Sequence, residues 1–135
     1  MPGLSKLSDK EFLKAFQLTD AVIHNKQPIF MLTWIGSIVS VLSLILISIT
    51  YVGLSETWLI MLVALIYLLG VQGITIFIHL PLNNQIQKLN LEKLKDENLR
   101  DERLNFENKW NFFNNIRTAI AFFVSLTLLI FLTIT

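Results

Sequence analysis

Charged residues vanish from three stretches of the chain. No Asp, Glu, Lys or Arg occurs from Gln27 to Ser55, from Thr57 to Gln87, or from Thr118 to Thr135. A helix needs about 20 mostly apolar residues to cross roughly 30 Å of hydrocarbon. The first two stretches pass that test. The third is at the short limit and gains reach from Arg117, whose aliphatic stem can run back to the interface. The pattern predicts membrane spans at about 28–52, 56–80 and 117–134. Pro28 suits a first helical turn. The link from Tyr51 to Glu56 leaves room only for a tight hairpin. Trp34, Tyr51 and Trp58 fall near the predicted ends, as interfacial aromatics do.

The segments between the spans read as helical too. Ser8-Asp9-Lys10-Glu11 has the form of a capping box. Beyond it Phe12, Phe16, Thr19 and Ile23 share one face, which predicts an amphipathic helix over 8–25 lying at the membrane surface. The connection 83–110 mixes Lys and Glu with Leu89, Leu94, Leu99, Leu104 and Phe106, and reads as a solvated helical segment with an Arg103–Glu107 pair one turn apart. A turn near Leu94–Asn98 lets the last helix begin around Leu99. All 11 basic residues lie in the N-terminal segment or in the connection through Arg117. The hairpin and the C-terminus carry none. That asymmetry puts both basic segments in the cytoplasm, with the N-terminus inside and the C-terminus outside. A bacterial inner membrane is the expected location. The N-terminal stretch has no basic region followed by an apolar core, so it is not a signal peptide. The fold expected is an all-α integral membrane domain, 1–135, with three spans.

Composition agrees: 53% of residues are hydrophobic, 16% are charged, and mean hydropathy is +0.59. An average soluble domain carries about 25% charge, and a small soluble chain cannot hide this much apolar surface. The absence of cysteine excludes disulfides, thiolate metal sites and a Cys nucleophile. The only histidines are His24, read as a surface residue, and His79, and no two-His metal spacing exists. No metal or other cofactor is expected. A net charge of +1 gives no global field toward nucleic acid. No glycine pattern cradles a phosphate, and no serine sits in a nucleophile elbow.

Polar side chains inside spans are costly and therefore informative. Gln72, Thr75, His79 and Asn83 fall on one helix face, provided the helix survives Pro81, with Gly70 and Gly73 permitting close approach beside them. Trp110, Asn114, Arg117 or Thr118, Ala121 and Ser125 form a second stripe. Gln17 and Asp20 precede the first span. The three groups are expected to converge at the cytoplasmic end of the bundle. His79 is then the candidate proton acceptor. Arg117 and the Asn amides would stabilise an oxyanion, with Gln17, Asp20, Gln72, Asn83, Trp110, Asn114 and Thr118 as binding candidates. Plainer roles stay open for each. His79 can bond a backbone carbonyl at the interface, Gln72 can glue helices, and Arg117 can anchor the boundary or pair with Asp20. Asn83 and Asn84 can cap a helix broken at Pro81.

Three stretches carry a family resemblance: Asp20-Ala-Val-Ile-His-Asn25-Lys-Gln-Pro28-Ile-Phe30; Leu69-Gly70 followed by His79-Leu-Pro81-Leu-Asn83-Asn84-Gln-Ile86; and Trp110 followed by Phe113-Asn114-Asn115-Ile116-Arg117-Thr118. Over the span from Met1 to about Ala121 the chain resembles the anthrone oxygenase family of small integral membrane proteins. The resemblance implies a four-helix membrane bundle and, from fungal members, oxidation of anthrones to anthraquinones by dioxygen without metal or flavin. Asn83, Asn114, Arg117 and Thr118 match the family's signature positions. His79 stands where the family does not always have His, and Asn115 where His or another residue often occurs. Family members usually carry a further hydrophobic helix before the Met-Pro-Gly-Leu stretch. The chain as given is thus expected to be one helix short, with an open bundle face that a homo-oligomer would close. The expected partners are the bilayer and a lipophilic, aromatic or quinone-like molecule. The other reading is a non-enzymatic accessory or structural membrane protein whose polar residues only join helices. A channel or transporter fits less well, because three short spans offer too little wall.

Overall fold

The computed structural model describes the chain except Pro2, Lys26 and Thr135, and except the side chains of Ile23, His24 and Ile134. Helix α1 spans Asp9–His24. Its start is fixed by Ser8, whose backbone N–H and hydroxyl both donate to the Glu11 carboxylate, at 3.0 and 2.7 Å. These bonds, the hydroxyl's first, hold the Glu11 carboxyl below its ordinary range.

Helix α2 spans Pro28–Ile47, with the Gln27 side chain accepting from the Phe30 N–H. Its last turn widens into a π-helical segment, Ser48–Val52. Gly53, at φ 99° and ψ 155°, then reverses the chain. That backbone geometry belongs almost only to glycine, and it makes the hairpin foreseen from the short link. Helix α3, Leu54–Tyr67, does not stop at its last α turn. Two π segments, Leu68–Gly73 and Thr75–His79, carry it into α4, Leu80–Gln87, as one 34-residue rod from Leu54 to Gln87. Pro81 therefore does not break the helix. The Leu80 N–H already reaches back five residues to the Thr75 carbonyl. This wider turn spares the proline ring the clash it makes in an α-helix interior. A short turn over 88–95 leads to α5, Asp96–Ile134, whose 39 residues extend about 58 Å.

Helix makes up 86% of the structure and no strand occurs among the described residues. Three helical stretches are long and apolar enough to cross a membrane: Pro28–Val52, Leu54–Gln87 and Asp96–Thr133. The two ends of the molecule are built differently. At the polar end Phe12, Leu13 and Phe16 of α1 meet Ile86, Leu91, Leu99 and Phe106 in a closed apolar core. Protein thus covers Phe12, Leu13 and Phe16, where the sequence pattern suggested a helix resting on lipid; Thr19 is exposed, and the side chains of Ile23 and His24 lie outside the described residues. Leu13 widens the apolar face, and the connection supplies the partner side chains. At the apolar end the helices touch along narrow seams, and large side chains such as Leu32, Leu46, Phe77 and Leu132 point outward. At Gly70 the rod meets α5 closely. A Cβ there would lie 2.7 Å from Ile120 Cδ1 and 3.0 Å from its Cγ2, so α5 passes where only a glycine fits comfortably.

Candidate functional site

The polar stripe on the Leu54–Gln87 rod is buried at Gln72 and His79, 5% and 4% exposed. Its middle lies in the two π segments, a rare geometry that recurs at functional sites. Three polar nodes follow one another along the rod.

The first node is deepest in the apolar half. Gln72 Oε1 accepts from the Trp34 indole N–H at 2.7 Å, and Gln72 Nε2 donates to the Ser37 and Tyr67 hydroxyls at 3.1 and 2.8 Å. Trp34, read from sequence as an interfacial aromatic, is thus a hydrogen-bond donor to another helix. Helix α2 contributes no buried residue of its own, so this amide is the polar pin that sets its position. Replacing Gln72 with Leu removes three hydrogen bonds, while Ser37 keeps its bond to the Trp34 carbonyl at 2.7 Å. Interhelical hydrogen bonds in membrane proteins average about 0.6 kcal/mol and reach about 1.7. Gln72→Leu is therefore expected to cost about 2 kcal/mol, measured as unfolding in detergent. A variant as stable as wild type would show that apolar packing alone holds α2.

The second node lies one to two turns along. Arg117 on α5 donates to the Thr75 hydroxyl at 3.1 Å and to Asn114 Oδ1 at 2.8 Å. The His79 ring packs against Trp110, centroids 5.0 Å apart. Both imidazole nitrogens and the Trp110 indole nitrogen are buried without a hydrogen-bond partner among the described residues. Phe16 of α1 meets the same indole edge-on, centroids 6.5 Å apart.

The third node is at the polar end. Asn83 Nδ2 donates to Asp20 Oδ1 at 2.8 Å, and Gln87 Nε2 donates to Asp20 Oδ2 at 3.1 Å and to the Gln17 carbonyl at 2.9 Å. Asn83 Oδ1 is buried and unpartnered among the described residues. Gln17 donates to the carbonyls of Ile86 and Leu89, at 2.8 and 3.0 Å, so it caps the end of α4.

The structure thus brings Asp20, Asn83, His79, Trp110, Asn114 and Arg117 onto one seam between α1, the rod and α5. Gln72 belongs to the separate α2 pin, and Thr118 is exposed. Asp20 bonds Asn83 and Gln87, while both described Arg117 bonds go to Thr75 and Asn114. Asn83 lies inside a helix and caps no end. The sequence reading missed Gln87, although it continues the polar stripe one turn past Asn83. It also missed Phe16 as the support of Trp110, which only the docking of α1 reveals. Among the described residues no group of three His, Cys, Asp or Glu side chains is placed to hold a metal ion.

Four buried polar atoms without partners on one seam are unusual, since buried polar groups are nearly always hydrogen-bonded. They offer donors at Trp110 and at the imidazole, and acceptors at the imidazole and Asn83. Such a set is matched chemically by a group that both donates and accepts hydrogen bonds. No curated protein and no solved structure matches the chain. A profile described as anthrone oxygenase matches residues 23–127, which take in α2, the whole rod and α5 as far as Thr127. With His79, Asn83, Trp110, Asn114 and Arg117 all inside that match, the chain belongs to the anthrone oxygenase family.

Proposed function

We propose that the protein is integral to a membrane, with α1 and the 88–95 turn on the cytoplasmic side, and that it oxidises a lipophilic hydroxylated aromatic at the His79 seam. The observation that carries the reading is the set of unpartnered buried atoms at His79, Asn83 and Trp110, inside the family-matched segment. The outward apolar side chains of the three long helices and the polar-end core support the orientation. So does the confinement of basic residues to that end.

The reaction proposed converts a ring methylene to a carbonyl. One dioxygen is consumed: one of its oxygen atoms ends on the ring carbon, and the other takes the two methylene hydrogens and leaves as water. Removing a proton from the methylene gives a phenolate-like anion, which is the electron-rich form that dioxygen can oxidise. In this reading His79 takes that proton. The charge then developing on the ring oxygen is met by donors already fixed in the seam, Trp110 and Arg117, which need little reorganisation. Membrane burial keeps the site dry and concentrates a lipophilic substrate.

The test is to supply purified protein with an anthrone and oxygen and to follow quinone absorbance. Catalysed formation above the buffer rate is expected. A wild-type rate equal to that of a His79→Ala, Arg117→Ala double variant would overturn the catalytic reading. A non-catalytic accessory role draws on one observation: the described Arg117 bonds both go to protein groups, as helix glue does. That role predicts no stabilisation by any ring compound, whereas a true ligand stabilises the folded state it binds.

A further inference from the structure

Asp20 and Phe16 reach the seam from α1, yet both precede residue 23, where the family match begins. We infer that α1 completes the site, with Asp20 as a positioning residue that fixes the Asn83 amide so that its oxygen, and not its NH2, faces the ligand. The inference rests on the functional reading above and goes past it to what the site selects.

The chemistry of the pair dictates the orientation. An ionised carboxylate only accepts hydrogen bonds, whereas an amide can turn either end outward. Asp20 is 6% exposed and places Oδ1 2.8 Å from the Asn83 nitrogen. Turning the amide over would set two oxygens against each other at that distance. Gln87 donates to the other carboxylate oxygen and keeps Asp20 from swinging away. The consequence is a buried Asn83 Oδ1 with no protein partner among the described residues, one helical turn past His79 on the same face. Were Asp20 replaced by a group that can donate, the Asn83 amide would be free to present NH2 instead. Phe16 acts in parallel by backing the Trp110 indole. One end of the seam is therefore committed to accept, so a ligand with a free hydroxyl there is favoured over one whose hydroxyl is methylated. A site whose polar group is left unpaired discriminates against the analogue that lacks the bond.

The test uses the full chain in lipid nanodiscs without oxygen. Binding of a hydroxyanthrone and of its O-methyl ether is followed by tryptophan fluorescence, and exchange of the Asn83 side-chain amide protons by nitrogen-15 NMR. Wild type is expected to prefer the free hydroxyl by roughly tenfold, the size of one lost hydrogen bond. Asp20→Asn, nearly the same shape, is expected to erase most of that preference and to speed amide exchange. The swap Asp20→Asn with Asn83→Asp is expected to restore the preference. The new amide at position 20 would then donate to the new carboxylate at position 83, whose second oxygen again faces the ligand. An unchanged preference or an unchanged amide exchange in Asp20→Asn overturns the positioning role. If wild type binds neither compound, the functional reading falls on its own, and amide exchange still decides whether Asp20 holds Asn83.

Discussion

Replacing His79 with alanine is expected to slow quinone formation by roughly 10²–10⁴-fold, the usual contribution of a positioned general base. The imidazole is the only titratable ring in the seam among the described residues, and no carboxylate among the described contacts stands ready to replace it. Asp20 is already committed to Asn83 and Gln87. The loss should fall mainly on kcat, because the proton is transferred in the reaction and not on binding. Arg117→Ala should act differently. It removes charge stabilisation and also the bonds to Thr75 and Asn114, so both rate and thermal stability should drop. A His79→Gln variant separates chemistry from packing, since Gln fills much of the space against Trp110 but cannot act as a comparable base. Full activity in His79→Gln would show that the ring only fills space.

The three long helices were legible because a helix able to cross a bilayer has a length and composition that the sequence shows directly. Roughly 20 uncharged residues are needed per crossing, and the gaps between charges show where they are. The start of α1 was legible for a similarly local reason, the Ser8–Glu11 box. Pro81 was not. Whether a proline ends a helix depends on the hydrogen-bond pattern of the turn before it, and nothing in Thr75–His79 announces a π segment. The connection around Leu99 and Phe106 read as solvated because its charges are real. Its apolar residues find their partner only in α1, far away in sequence. The Asp20–Asn83 contact has the same character, joining residues 63 positions apart. The stripes put polar side chains on one face of each helix, but which stripe meets which is decided by packing. Packing split Gln72 from the site and left Thr118 outside it.

One side chain of α5 ties down the start of α1. Arg103 Nη1 donates to the Leu7 carbonyl at 2.8 Å and to Asp9 at 2.9 Å, Nη2 to the Ser5 carbonyl at 3.0 Å, and Nε to Glu107 at 3.1 Å. Its guanidinium also lies 4.5 Å from the centre of the Phe12 ring. The Arg103 side chain is 12% exposed, Glu107 16% and Asp9 37%. Breaking a buried charge network by removing one partner costs about 3–5 kcal/mol, because the remaining charges stay desolvated. This network is only part-buried and Asp9 reaches water, so Arg103→Ala is expected to cost about 2 kcal/mol. Arg103→Lys should recover less than half, since an ammonium cannot span four acceptors in fork geometry. The loss should be local at first: α1 should become protease-sensitive while the three long helices stay intact by circular dichroism. A loosened α1 also withdraws Phe16 from Trp110 and Asp20 from Asn83. Arg103→Ala should therefore lower ligand selectivity although it touches no ligand. An α1 that stays protected in Arg103→Ala would mean that the apolar core of Phe12, Leu13 and Phe16 suffices to hold it. The site would then owe its closure to packing and not to the guanidinium.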